Sequence, residues 1–352
     1  QRINQTFLEP ILARRAAATA LLTLRNRTLF HTLSQDDSSV SVVVSDFDGS
    51  NEQTLRGRYL IGADGGRSNV RKQIGAKLSG DAVLQHVQST CIRSAELYDR
   101  MTAAEPRAWG YYTFNARRLG HVYAIDGRET FLVHTYLSPE EAAEEGSVDR
   151  DAAIRAILGV DQTFAFDIVS KEDWVARRLL ADRFRDRRVF LAGDATHLWV
   201  PFAGFGMNAG IADVLNLTWV LGAHLHGWAD EGILDAYEAE RRPITEQVSH
   251  FAMNHQRKLA KPSLPDALDD DTAAGDTARA EFGAAVRALN EPQFAAAGLN
   301  YGYVYDSSPV IAYDGERAPG YSMGEYTPST VPGCRAPHFR LADGTSFYDL
   351  LS

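Results

Sequence analysis

RVFLAGDATHLWVPFAGFGMN, residues 188 to 208, runs from an apolar strand through Gly193 and Asp194 and a loop rich in proline and glycine into a helix. Val189 to Ala192 have the unbroken apolar character of a buried strand, and Gly193 supplies a backbone without a Cβ. Asp194 then presents a short carboxylate at the carboxyl end of that strand, the edge where open α/β sheets bind ligands. A carboxylate there repels a pyrophosphate but accepts hydrogen bonds from ribose or ribityl hydroxyls, so Asp194 is expected at a sugar. The loop from Pro201 to Asn208 carries Gly204 and Gly206, which let its backbone pass close to a flat ring. The first free N–H groups of the helix, around Gly206, Met207 and Asn208, carry partial positive charge and favour negative charge on such a ring. A Gly-Asp pair after a strand is common in α/β enzymes, so the pattern needs company.

Residues 59 to 75, YLIGADGGRSNVRKQIG, supply it: a strand, a turn at Asp64-Gly65-Gly66, and a helix opening near Ser68 as N-cap. INQTFLEPIL, residues 3 to 12, adds a helix bearing Gln5 and Glu9. In this order and separation the three segments resemble the class A flavoprotein aromatic hydroxylases, the family typified by para-hydroxybenzoate hydroxylase and phenol hydroxylase. The resemblance covers most of the chain. It implies FAD as cofactor, held by Gln5, Asp64, Gly193, Asp194, Pro201, Gly204, Gly206, Met207 and Asn208. It also implies that Arg67 and Arg71 can offset phosphate charge. The family commonly has Gly-Gly where Ala203-Gly204 stands here, a methyl that slightly constrains the approach to the ring.

Family members begin with a strand, a G-x-G-x-x-G turn and a helix that cradle the FAD pyrophosphate. This chain opens at Gln1 on helical sequence, so an amino-terminal truncation is expected. VPGCRAPHFRLADGTSFYDLL, residues 331 to 351, resembles the start of the thioredoxin-like carboxyl-terminal domain of the phenol hydroxylase branch. The sequence thus reads as the middle of a longer protein.

The resemblance implies a mixed α/β fold: an FAD-binding Rossmann-like three-layer domain, present in part, with an inserted antiparallel β-sheet substrate domain. The expected divisions are 1–80 (FAD-binding, Asp-Gly motif), 81–175 (substrate sheet), 176–262 (FAD-binding, Gly-Asp motif and long helices), 263–330 (helices and loops completing the substrate side) and 331–352 (start of the carboxyl-terminal domain). The opening helix reaches about Arg15, with strands near Leu21–Leu33, Val40–Phe47 and Arg58–Ala63. Between Asp81 and Trp174, VLQHVQSTCIR, WGYYTFNA, LGHVYAID and TFLVHTYL are short alternating strands. On them Tyr111, Tyr112, His134 and Tyr136 are candidates for the substrate pocket, together with Pro201; the alternative is that they are β-forming residues on a half-buried sheet. DRDAAIRAILG at 149–159 is a short helix, and residues 231–260 form a long one in which Pro243 can introduce a bend.

Other chemistries find little support. The 352 residues are 45% hydrophobic and 23% charged with net charge −10, composition for a soluble cytoplasmic protein without a basic stripe for nucleic acid. Cys91 and Cys334 are too few for a disulfide framework, and no apolar run is long enough to span a bilayer. No metal site is expected: Asp269-Asp270-Asp271 reads as a solvated loop, and His224 and His226 are two apart and cannot share a helix face. HExxH, a Walker A lysine and G-x-S-x-G are all absent from the sequence.

By resemblance, the chain belongs to an FAD-dependent monooxygenase that uses NADPH or NADH and dioxygen to hydroxylate a phenolic or polyketide-type aromatic through a flavin C4a-hydroperoxide. The flavin performs the chemistry, and no side chain is assigned as catalytic. The protein holds the substrate ring, excludes water and lets the flavin move. Partners are the small aromatic and dioxygen, and a homodimer is one assembly the reading allows. Two alternatives stay open: another FAD enzyme of the same fold, a halogenase or epoxidase, although no W-x-W-x-I-P signature occurs, or a truncated chain that binds a ligand without turnover.

Overall fold

A computed structural model describes residues 3–101, 107–144, 146–199, 204–259 and 263–350. The strands are β1 (Thr28–Gln35), β2 (Val40–Asp46), β3 (Gln53–Gly57), β4 (Leu60–Gly62), β5 (Leu78–Arg93), β6 (Gly110–Thr113), β7 (Gly120–Ala124), β8 (Thr130–Leu137), β9 (Asp167–Ala181), β10 (Arg185–Asp186), β11 (Val189–Leu191) and β12 (His197–Leu198). The helices are α1 (Gln5–Ala17), α2 (Asn69–Gln73), α3 (Leu97–Met101), α4 (Pro139–Ala143), α5 (Arg150–Leu158), α6 (Phe205–Leu225), α7 (Asp235–Leu259), α8 (Ala273–Phe294) and α9 (Ala297–Tyr301). The architecture is mixed α/β, as expected. The chain divides into two compact units, Gln1–Gly57 with Val83–Ala176, and Arg58–Ala82 with Arg177–Ser352.

In the first unit α1 opens on Asn4, whose side chain accepts the Thr6 N–H at 3.0 Å. β1, β2 and β3 form an antiparallel sheet in that order. The strand expected from Leu21 begins only at Thr28, because its partner β2 ends at Asp46 opposite Thr28 and leaves nothing upstream to pair with; Leu21 is accordingly 101% exposed. Arg58 and Tyr59 separate two strands, β3 in this sheet and β4 in another.

The second sheet runs β12-β9-β5-β8-β7-β6. On one face Ile92, Val122, Phe131 and Val133 are buried against Ile154 and Ile157 of α5. Burying each such side chain contributes about 1.5–3 kcal/mol before entropy is counted. Asp149 caps α5 by accepting the Ala152 N–H at 2.8 Å, and Gly159 ends it in the left-handed conformation.

In the second unit β11 lies between β4, to which it is parallel, and β10, to which it is antiparallel. Phe190 of β11 packs with Leu217 and Val220 of α6 and with Leu234 and Tyr237, which join α7 to the same core. The Tyr237 hydroxyl donates to the Leu191 carbonyl at 2.6 Å. On the opposite side of α6, Ile211, Leu215 and Trp219 are exposed. α7 continues as one helix through Pro243, and α8 starts at Ala273 on a Thr272 cap, directly after the Asp269-Asp270-Asp271 segment. Asp269, Asp270 and Asp271 are exposed, and among the described residues no group of three or more His, Cys, Asp or Glu is placed to hold a metal. No helix of the described residues is long and apolar enough to cross a membrane.

Candidate cofactor site

β4 and β11 are neighbours with Leu60 opposite Val189 and Gly62 opposite Leu191, so the Asp-Gly and Gly-Asp motifs leave the sheet at the same carboxyl edge. The Ala192 N–H donates to the Gly62 carbonyl at 3.1 Å. Gly62 is required by contact: a Cβ there would lie 2.7 Å from Val70 Cβ, so α2 rests on the strand only because that atom is missing. Asp64 closes the turn. Its carboxylate accepts the N–H groups of Asn69 at 2.7 Å and Val70 at 3.1 Å and the Ser68 hydroxyl, and Ser68 in turn caps α2 through the Arg71 N–H at 2.9 Å.

Arg71 corrects an expectation. Rather than standing ready for a phosphate, it is buried, donating to the carbonyls of Ala195 and Gly66 at 2.9 Å each. Burial lowers its pKa, and the nearby Asp64 charge opposes that. It is a strut between the two motifs, while Arg67 is exposed.

Beyond β11 the backbone turns at Gly193, with φ of 60°, into a single 3-10 turn, Gly193–Ala195. Asp194 at its centre is exposed and makes no hydrogen bond to a described residue. α6 follows, with Gly204 at its N-cap in the left-handed conformation and, among the described residues, no side chain capping it. Asn208 Nδ2 reaches back to the Gly204 carbonyl at 2.9 Å. Among the described residues, an added Cβ on Gly206 would meet nothing within 4 Å. Pro201 and Ala203 lie outside the described residues. Together these form a cradle with an acceptor at one end and helix N–H groups at the other.

Beneath this turn is a buried polar network that the sequence reading missed. Asp213, fully buried on α6, accepts from Gly193 N–H at 3.2 Å, His197 Nε2 at 2.7 Å and Arg241 Nε at 3.0 Å. Burial alone would raise the Asp213 pKa, but the His197 hydrogen bond and the His197 and Arg241 charges outweigh it and hold the carboxyl below its ordinary range. Nearby, Glu240 accepts from Asn216 at 2.5 Å and Ser308 at 2.6 Å. The available signal was a lone Asp within the apolar run GIADVLNLTWVLG, where a charge needs a partner.

The remaining candidates lie in the first unit. Gln5 is exposed in the first turn of α1. His134 and Tyr136 share one face of the sheet with His121 and Tyr123, and Tyr112 meets His121 edge-on with centroids 4.2 Å apart. Tyr111, next along β6, necessarily points to the other face; it packs against the α5 core, and its hydroxyl accepts the Ala108 N–H at 2.8 Å. A 2.8 Å hydrogen bond joins Tyr136 Oη to His121 Nδ1, and Tyr123 Oη lies 3.3 Å from the same nitrogen. The His134 ring meets Trp174 at 5.7 Å, and Trp174 Nε1 donates to Ser89 at 2.6 Å. Burial lowers the pKa of His121 to about 3, helped by His134, and that of His134 to about 4. Burial and the adjacent Tyr123 and Tyr112 push Tyr136 well above its ordinary value.

The family model described as FAD binding domain matches residues 1–252. The chain belongs to the FAD-binding domain family. It is 32% identical to 4-methyl-5-nitrocatechol 5-monooxygenase of a Burkholderia species over 96% of this chain and 59% of that protein. It is 31% identical to phenol 2-monooxygenase of a Pseudomonas strain over 98% of this chain and 58% of that protein. The flavin-dependent monooxygenase PieE, solved with FAD and substrate, superposes with a TM-score of 0.83 at 29% identity, covering 99% of this chain and 64% of PieE. The chain thus spans about three fifths of the length of these relatives, each of which is named as a monooxygenase. The cradle fits FAD: the Asp194 acceptor suits a ribityl hydroxyl, and the α6 start, uncapped and open at Gly206 among the described residues, suits the ring.

Proposed function

We propose that this chain carries the flavin site of an FAD-dependent monooxygenase that hydroxylates a phenolic or polyketide-type aromatic substrate. The observation that supports it most is the meeting of the two motifs at one strand edge, with the exposed Asp194 carboxylate before the start of α6. Bound FAD, reduced by NADPH or NADH, supplies the activation of dioxygen. The chain's own residues do the rest. Asp194 accepts from the ribityl chain, the N–H groups of Gly206, Met207 and Asn208 favour negative charge on the ring, and Gly193 and Gly204 shape the backbone around it. Gln5, Asp64 and Pro201 complete the cofactor contacts by the family pattern, Asp64 through the turn it closes.

Tyr112, His134 and Tyr136, joined by His121 and Tyr123, form the face proposed to orient the aromatic substrate, and Pro201 is a further substrate contact by the family pattern alone; Tyr111 points to the other face of the sheet. The functional division proposed follows the motifs: 1–80 and 176–262 for the cofactor, 81–175 for the substrate, 263–330 completing the substrate side and 331–352 as the start of a carboxyl-terminal domain. A cytoplasmic setting is part of this proposal, in keeping with the acidic composition. A homodimer is the assembly that light scattering would check.

The test is NAD(P)H oxidation by the FAD-loaded protein across a panel of phenols and polycyclic phenolics, with products weighed by mass spectrometry under isotopic dioxygen. Oxidation stimulated by one class of phenolic, with one labelled oxygen in the product, is expected. Oxidation indifferent to every aromatic, with no labelled product, would contradict the reading.

A further inference from the structure

The Asp213 carboxylate holds both ends of the turn that carries Asp194. On the entry side it accepts the N–H of Gly193 at 3.2 Å, and on the exit side it meets His197 Nε2 at 2.7 Å, both on Oδ2. The same turn is pressed on α6 from a second point, since a Cβ on Gly210 would lie 3.3 Å from Gly193 Cα. Gly210 and Asp213 are three apart and share a helix face. Within the turn, the Thr196 N–H and hydroxyl return to the Gly193 carbonyl at 2.8 and 2.7 Å, so few directions are left for the Asp194 side chain. Arg241, donating from Nε to Asp213 Oδ1 at 3.0 Å, is the countercharge that lets a fully buried carboxylate stay ionised.

We propose that Asp213 is a positioning residue for the cofactor: by gripping Gly193 and His197 at once, it fixes the turn between them and aims the exposed Asp194 carboxylate at the ribityl chain. The inference rests on the reading of Asp194 as the ribityl contact. It separates two roles that a buried ion pair usually confounds. A purely structural pair affects stability and nothing else, whereas this one acts on flavin affinity and on the environment of the bound ring.

The experiment compares D213N, G210A, D194A and V220A in the FAD-bound protein. Asparagine keeps the shape of Asp213 but replaces one acceptor oxygen with a donor, while alanine at 210 crowds Gly193 and leaves every charge in place. Val220, fully buried in the α6 core away from the turn, is the stability control. The readouts are the FAD dissociation constant, the visible circular dichroism of bound flavin and the melting temperature of the flavin-free protein. D213N and G210A are expected to weaken FAD by about tenfold or more and to alter the flavin dichroism, while V220A lowers the melting temperature and leaves affinity within about twofold. Wild-type affinity and dichroism in G210A and in any folded D213N would overturn the proposal, as would an equal loss in V220A. Should D213N not fold, G210A decides alone. D194A distinguishes the layers: wild-type affinity there defeats the ribityl reading itself, whereas loss in D194A with none in G210A or D213N defeats only the clamp.

Discussion

Asp64 and Asp194 sit at the carboxyl ends of adjacent parallel strands, yet their carboxylates are used differently. Asp64 is spent on two N–H groups and a hydroxyl of its own turn, whereas Asp194 faces outward with no described partner. Replacing Asp64 with Ala should therefore cost the apo-protein about 0.5–2 kcal/mol, as loss of a helix cap does, seen in chemical unfolding. Asp194→Ala should leave apo stability within about 0.5 kcal/mol. Its expected cost is about 1–3 kcal/mol of flavin binding, read by titration. The buried histidines make a separate prediction. His121 and His134 are held at about 3 and about 4, below the ordinary 6.5, so the fold favours their neutral forms. The unfolded chain takes up protons first as pH drops below 6.5, so their contribution is complete above that value and is lost below it, down to about pH 4 for His134 and about pH 3 for His121, by up to about 1.4 kcal/mol per pH unit for each. Urea unfolding across that range should show the decline, with a shallower slope in His121→Gln; a flat profile in the wild type would count against it.

At the level of elements, α2 and α6 hold the site because their packing surfaces are glycines. Gly62→Ala places a methyl 2.7 Å from Val70 Cβ and must lift α2 from the strand, at about 1–3 kcal/mol by melting. Because Arg71 rides on α2 and holds the Ala195 carbonyl, the same substitution should also weaken FAD. Much of this was legible in the sequence. Strand, Gly-Asp, loop and helix follow one another within residues 188–208, and local order of that kind is written in local residue types. What was not legible depends on partners distant in the chain. β1 starts where β2 allows it, not where its apolar run begins, and the break between β3 and β4 at Arg58 and Tyr59 is a change of sheet. Tyr111 and Tyr112 looked alike as aromatics, but consecutive strand residues face opposite ways, and only the sheet's packing told which face was the core. Arg71 looked like a surface cation until its two carbonyl acceptors, one of them on another motif, were placed around it.

In the whole molecule, every residue of the Asp64–Arg71 and Gly193–Asp213 arrangement belongs to the second unit. Flavin binding should therefore slow amide exchange most around residues 62–71 and 192–213. Exchange slowed only in the β6–β8 segment would argue for a different seat. The most direct measurement is a crystal structure of the FAD complex. The account predicts an Asp194 carboxylate oxygen within hydrogen-bonding distance of a ribityl hydroxyl and the ring system against the Gly204–Asn208 backbone. FAD bound elsewhere, or an Asp194 side chain turned to solvent beside an occupied cradle, would contradict it.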